Sequence, residues 1–377
     1  MTEQYDPSLS IRANAKKLNI TYHKARKMYL GANGVGETLG EVLAEENIDP
    51  DTIKVNSFGI SRFDTETKTW KKITWVPNPA IDKELDIDIT NILNGIELSK
   101  PNKKPKGQNT LVISFNDWQL GKGERGGTVA TVKRIKSSVN KVKERLKELN
   151  KIGRNIGKLV IICGGDLVEG CNIYPNQIRD VDLSETQQVE LVVKTLVWGI
   201  DQLAVLFNDV HVVAVKGNHG EVRVNGKGTP NNNWDTKTVQ LAQMVVSRDK
   251  KLSHVRFTIA KDNEEAVAFK VGKFTIATTH GDIFGKFVPG QTKMLKAKQW
   301  FKNMAFVKSN VGNADVLITH HYHHDEMADW GKCLWRQTRA QDGGSSYYTA
   351  FSGECSEPGM LTFVVTNNCR YQDEYTL

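Results

Sequence analysis

The stretch "ITHHYHHDE" places His320, His321, His323 and His324 within five positions. Neutral imidazole is the commonest protein ligand for transition metals, so such a tract raises metal binding first. Taken alone it fits a solvated polar loop equally well. Four other short stretches supply partners: Asp117 and Gln119 in "NDWQ", Asp166 in "GGDLVEG", Asn218 and His219 in "GNHGE", and His280 in "THGD". Each has a dull reading by itself. Gly-Asp after a strand is often only a turn, and a lone histidine is more often structural than a ligand. Together they form an oxygen-rich, imidazole-containing set that suits manganese, iron or zinc.

The elements that must position these residues are legible from periodicity. "TLVISFND", "KLVIICGGD", "VHVVAVKGNH", "KFTIATTHGD" and "DVLITHH" read as strands, each ending in Asp, Asn or His. Between the first two, Val129, Val132, Ile135, Val139, Val142 and Leu146 recur at helical spacing, and "QQVELVVKTLVWGIDQLAVLF" reads as a second helix. Strand and helix in alternation is an α/β signature. In α/β sheets, ligands bind beyond the carboxyl ends of strands, where these polar residues fall. The tail from Gly343 begins as a Gly- and Ser-rich loop and ends in a strand-like run, expected to complete the sheet or roof the cleft.

In motif order and spacing, residues 109–330 resemble the calcineurin-like metallophosphoesterases. That family's series is D-x-H, G-D-x-x-D/E, G-N-H-D/E, H and G-H-x-H. Here it becomes Asp117-Trp118-Gln119, Gly165-Asp166 to Glu169, Gly217-Asn218-His219-Gly220, His280, and His320-His321-Tyr322-His323. Gln119, Gly220 and His320 depart from the pattern. The resemblance implies an α/β fold, a two-sheet sandwich flanked by helices. It also implies two divalent metals: Asp166 bridges them, Asp117, Gln119 and His323 complete one site, and Asn218, His280 and His321 the other. Two cations about 3.5–4 Å apart clamp a phosphate and acidify water between them. His219 is then a non-ligating acid near the leaving oxygen, and His320 and His324 are bystanders or support the ligands. A carboxamide at Gln119 offers oxygen where the pattern has nitrogen, which favours manganese over iron or zinc.

The substrate is less determined. Family members of this kind hydrolyse phosphoproteins, nucleotides and nucleic acids, and the motif order is similar to that of DNA-repair and phage exonucleases. The 377 residues carry a formal net charge of +8, with a pI near 9.0, which favours an anionic partner. "SIRANAKKLNITYHKARKMYL" has a helix-turn-helix pattern, with Asn19 at the turn and Thr21 as a cap. Lys24, Arg26 and Lys27 fall on or beside its second helix, as in DNA-binding versions. A β-hairpin unit follows over "IKVNSFGISRF" and "WKKITWV", then the Lys- and Pro-containing "LSKPNKKPKGQN". The expected organisation is therefore a small N-terminal α+β domain (1–98), a basic linker (99–108) and a catalytic domain (109–377). A surplus of Lys and Arg from Lys133 to Lys158 fits a phosphate backbone or merely a solvated helix face. Trp118 could stack a base or fill the core. A nuclease acting on DNA is the leading expectation. A phosphatase or nucleotide phosphodiesterase, and a DNA-binding regulator with a structural metal, remain alternatives. No apolar run reaches the ~20 residues of a membrane span, and no signal pattern opens the chain. The five scattered cysteines lack metal or disulfide spacing. A cytoplasmic setting is expected.

Overall fold

The computed structural model describes residues 107–174, 177–224, 227–261, 263–285, 292–344 and 356–377, together with four short strands nearer the N-terminus. Two compact units divide the chain, 1–86 and 87–377. In the first, β1 (Ile53–Phe58) pairs antiparallel with β4 (Ile73–Pro77), and between them β2 (Phe63–Asp64) pairs with β3 (Thr69–Trp70). The helix-turn-helix pattern with Lys24, Arg26 and Lys27, and most of the basic linker, lie outside the described residues.

The second unit is built on two sheets. The first begins with β5 (Asn109–Phe115), helix α1 (Gly127–Lys151), β6 (Ile156–Cys163), helix α2 (Glu185–Ala204) and β7 (Asp209–Ala214). A hairpin of β8 (Glu221–Val224) and β9 (Lys227–Asn233) leads into helix α3 (Trp234–Val246) and β10 (Val255–Ile259). The second sheet follows with β11 (Ala266–Val271), β12 (Phe274–Thr279), helix α4 (Lys293–Phe306), β13 (Val316–Thr319), β14 (Glu326–Asp329) and β15 (Leu334–Gln337). The chain ends in β16 (Leu361–Val365) and β17 (Gln372–Thr376). Strand order is β10-β7-β6-β5-β16-β17 in one sheet and β11-β12-β13-β15-β14 in the other. The tail thus completes the first sheet: β16 runs antiparallel to β5, and β17 to β16.

Alternation along each strand explains the layering, because successive side chains point to opposite faces. Leu111, Ile113 and Phe115, with Leu159, Ile161 and Cys163, pack against helices α1 and α2 through Val132, Ile135, Val139, Leu191 and Leu196. Val112, Val160, Ile162 and Val213 face the other way. They meet Val267, Phe269, Ile276, Val316 and Ile318 of the second sheet. The outer face of that sheet, with Ala277, Leu317 and Trp335, packs on Ala297 and Phe301 of α4. The result is a two-sheet α/β sandwich with helices on both outer faces, four α-helices among the described residues. Val129, expected on the buried stripe of α1, lies at its margin and is 36% exposed.

β5, β6 and β7 are parallel neighbours, as are β12 and β13. The five strand ends flagged by the sequence therefore sit at the carboxyl edges of two sheets. They are not consecutive strands of one: β8 to β11 intervene between the third and fourth. Trp118 is fully buried in the helix-side core, and its indole N–H donates to Gln341 Oε1 at 2.7 Å. It fills the core and has no face for a base. No helix among the described residues is long and apolar enough to cross a membrane. Cys163, Cys171, Cys333 and Cys369 are all unpaired thiols.

Candidate metal centre

Nine non-glycine residues have positive φ among the described residues, and five of them are Asp117 (47°), Gln119 (43°), Asp166 (51°), His321 (76°) and His323 (59°). Left-handed backbone is sparsely populated by such residues and persists where the surrounding structure imposes it, often at functional sites. Here each strand stops and the next residues curl back, so their side chains turn into the space beyond the sheet edge. Gly165 makes this possible for Asp166. Its φ is 88°, and a Cβ there would lie 2.7 Å from Gly217 N and 2.9 Å from His280 Nδ1. The loops are tied to each other by backbone hydrogen bonds, Asp117 N to Gly165 O (3.0 Å) and Gln119 N to Asp166 O (2.9 Å).

One half of the centre is tightly convergent. Asp166, His280 and His321 bring three ligating atoms within 4.8 Å of one another, the one such group among the described residues. His280 Nδ1 donates to Gly164 O at 2.8 Å, so Nε2 faces inward. Nε2 lies 3.0 Å from Asp166 Oδ2, 3.2 Å from Asn218 Oδ1 and 3.2 Å from His321 Nδ1. Asp166 is 1% exposed, and its Oδ2 pairs with the His280 ring. A buried carboxylate oxygen set among two imidazole nitrogens and an amide oxygen fits a divalent cation. The electrostatics agree. Burial opposes charge on Asp166, but His280 and His219 hold it well below the usual carboxylate range. Burial likewise opposes protonation of His280, and the Asp166 charge outweighs it, raising the imidazole well above its ordinary value. His321 is pushed down to about 3 by burial and by the charge of His280.

The other half is built differently. His323 Nε2 lies 3.2 Å from Asp117 Oδ1, a second buried carboxylate oxygen. On its far side His323 Nδ1 lies 3.4 Å from Asp342 Oδ1. Burial disfavours the imidazolium, but Asp342 and Asp117 raise His323 to about 10. The Gln119 carbonyl oxygen accepts a hydrogen bond from Lys122 Nζ at 2.9 Å, and the same ammonium pairs with Asp342 Oδ2 at 2.5 Å.

His219 lies apart from the converging ligand atoms. Its backbone N–H donates to Asp166 Oδ1 (2.8 Å), and its Nδ1 faces the Glu169 backbone oxygen (2.8 Å) and carboxylate (3.3 Å). Burial opposes its protonation, but Asp166 and Glu169 raise it to about 9. Glu169 is held in turn by Tyr174 Oη (3.2 Å) and Gln177 Nε2 (2.9 Å). His320 is fully buried between Thr338 Oγ1 (2.8 Å) and Thr278 Oγ1 (3.1 Å), and burial lowers it to about 3. It pins the two parallel strand ends and does not face the centre. His324 bonds the Tyr322 carbonyl at 2.9 Å.

Three contributors were invisible to motif reading. Lys122 and Asp342 belong to none of the motifs. Asp235, at the start of α3, accepts from the amides of Asp166 (3.0 Å), Leu167 (2.8 Å) and Gly217 (2.9 Å) and so grips two ligand loops at once. Its carboxylate is pushed up to about 6 by burial and by Asp166. It also explains Gly220: a Cβ there would lie 2.5 Å from Asp235 Oδ2. The acid that the resembling motif carries after G-N-H has no room, and a carboxylate from α3 stands in that space.

The α1 basic surplus is partly consumed by the fold. Arg134 Nε donates to Gln341 O (3.0 Å), Lys143 to Gln202 (2.6 Å), and Arg145 and Arg154 to Asp373 (3.2 and 2.9 Å).

No family model matches the chain, and no curated protein matches it. Among solved structures, vacuolar protein sorting 29 from Cryptosporidium parvum is 14% identical at a TM-score of 0.31, over 68% of this chain and 86% of that one. An archaeal phosphodiesterase is 13% identical at 0.32, over 71% and 99%. Wild-type Vps29 complexed with zinc, from Entamoeba histolytica, is 17% identical at 0.31, over 71% and 92%. At TM-scores of this size none of the three carries a conclusion about this chain.

Proposed function

We propose that this protein is a divalent-metal-dependent phosphoester hydrolase of the calcineurin-like metallophosphoesterase type, a phosphodiesterase acting on DNA. The observation that carries the reading is the convergence of Asp166, His280 and His321 on one buried point at the strand ends. Asp166, Asn218, His280 and His321 would hold one cation, and Asp117, Gln119 and His323 line a second cation position beside it. Manganese is the metal we favour, with iron or zinc as alternatives. When bound, the metal polarises a phosphoryl oxygen and makes water acidic enough to attack near neutral pH.

The protein residues do the rest. Asp117 and Asp166 supply fixed negative charge that keeps cations at the sheet edge. His280 and His321 would hold one of them through ring nitrogens that face Asp166. His219, charged through Glu169 and Asp166, can deliver a proton to the departing oxygen from Nε2, since Nδ1 is tied to Glu169. DNA is favoured over a small phosphomonoester by the net charge of +8 and by the Lys24, Arg26 and Lys27 pattern. In this reading residues 1–98 bind DNA, 99–108 link, and 109–377 catalyse.

A substrate panel tests the proposal: bis-p-nitrophenyl phosphate, p-nitrophenyl phosphate, cyclic nucleotides, and single- and double-stranded DNA, each with Mn²⁺. Hydrolysis of the diester and DNA is the expected result. Preference for the monoester would make the protein a phosphatase. No turnover of any substrate, with DNA binding retained, would make it a DNA-binding regulator with a structural metal.

A further inference from the structure

The oxygen that Gln119 offers to the second cation position is already engaged by an ammonium of the chain itself. Lys122 Nζ touches Gln119 Oε1 at 2.9 Å and Asp342 Oδ2 at 2.5 Å. It is held from both ends, because the Lys122 backbone N–H also donates to Gln119 O at 3.1 Å. Asp342 is 2% exposed, and His323 and Lys122 hold its carboxyl well below the usual range despite burial. Asp342 Oδ1 faces His323 Nδ1, whose Nε2 faces Asp117. Lys122, Asp342, His323 and Asp117 therefore form one continuous chain of contacts along this half of the centre.

This arrangement leaves a second metal short of ligands. The carboxamide oxygen that would be its third donor is spent on an ammonium. Asp117 and His323 remain, and among the described residues no third His, Cys, Asp or Glu atom joins them within the distance that gathers Asp166, His280 and His321.

We propose that Lys122 keeps the second metal out: the centre binds one divalent ion, on Asp166, Asn218, His280 and His321, and the Lys122 ammonium, anchored by Asp342, holds the Gln119 oxygen that a second ion would need. This rests on the metal-centre reading above and narrows its second cation position. It also gives Gln119 a physical reason: imidazole at that position would compete with the ammonium for the same space, whereas a carboxamide oxygen accepts from it.

The test is metal stoichiometry, independent of turnover. Metal-free protein is titrated with MnCl₂ by calorimetry, and the Mn²⁺ is examined by electron paramagnetic resonance, in which two adjacent ions couple and a single ion does not. Wild type should saturate at one Mn²⁺ per chain with an uncoupled spectrum. Lys122→Arg should keep one. The pair Gln119→His with Lys122→Met should take up a second ion and show coupling, its second site at least ~10-fold tighter than any weak second binding in wild type. Thermal melting confirms that each variant is folded. Should the double variant not fold, the wild-type stoichiometry and spectrum decide alone. Two coupled ions in wild type overturn the proposal and leave the hydrolase reading standing. One ion in both wild type and the folded double variant also overturns it, since the lysine would not be what excludes the second metal. No Mn²⁺ in wild type removes the metal centre altogether.

Discussion

Replacing Asp235 with alanine should damage the centre without touching a ligand. The carboxylate is 1% exposed and accepts from three buried backbone amides, those of Asp166, Leu167 and Gly217. Stranding a buried amide costs roughly 2 kcal/mol, so three cost about 6 kcal/mol. Against this stands the strain of keeping the charge there. Burial and Asp166 push the group up to about 6 from an ordinary 3.8, and losing a charge so disfavoured returns about 3 kcal/mol at neutral pH. The unpaired amides win, and metal-free Asp235→Ala should be about 3 kcal/mol less stable in urea unfolding. The pH dependence has a definite sign. With the folded value raised, the unfolded state releases its proton first. The contribution of Asp235 is therefore full below pH 3.8 and declines as pH rises through about 6. The deficit of the alanine variant should thus be larger at pH 5 than at pH 8, by about 1 kcal/mol. Because Asp166 and Gly217 lose their shared anchor, Mn²⁺ affinity should fall by roughly 10–100-fold, as for other residues that orient ligands. Adding Gly220→Asp should recover part of both losses, since a carboxylate would re-enter the same space from the other side. Equal stability and equal Mn²⁺ affinity in Asp235→Ala and wild type would refute this reasoning.

Other substitutions separate the remaining roles. His219→Ala should leave Mn²⁺ binding nearly intact and lower diester turnover by about 10²–10⁴-fold, with unchanged turnover removing His219 as the proton donor. The triple change Lys24→Ala, Arg26→Ala and Lys27→Ala should spare small-diester hydrolysis and flatten the salt dependence of DNA binding by roughly 3 in log–log slope, whereas an unchanged slope takes DNA contact away from this segment. His211 is 4% exposed against Thr258 and Phe269, and burial and Arg256 lower it to about 4. Its unfolded form protonates first, near 6.5, so stability present above that pH is lost as pH falls toward 4. His211→Gln should lose about 2–3 kcal/mol less than wild type between pH 7.5 and pH 4.5.

Much of the candidate centre was legible because its residues sit where strands end, and strands announce themselves. Asp166, Asn218, His280 and His321 each follow an apolar run of the expected length, and each lies at the shared edge of the two sheets. The tail strand β16 was legible for the same reason. What lay hidden came from elsewhere in the chain. Asp342 follows β15 and meets His323 only because β13 and β15 are parallel neighbours. Asp235 reaches the Asp166 and Gly217 amides only because the β8–β9 hairpin returns the chain to that edge before α3. Lys122 was locally visible, three residues after Gln119, but nothing in its surroundings distinguished it from other surface lysines. The division of strands between two sheets was also hidden from periodicity, since a strand buried on both faces looks alike in either sheet.

The central claim is that a divalent metal on Asp166, His280 and His321 performs phosphodiester hydrolysis, and metal-resolved turnover tests it most directly. Hydrolysis of bis-p-nitrophenyl phosphate is followed for wild type, Asp166→Asn and His280→Ala, after chelation and again after titration with Mn²⁺. Wild-type activity should vanish on chelation and return with Mn²⁺, while both variants should remain at least ~10²-fold slower at Mn²⁺ levels that saturate wild type. Activity that survives chelation, or is retained in both variants, would contradict the account.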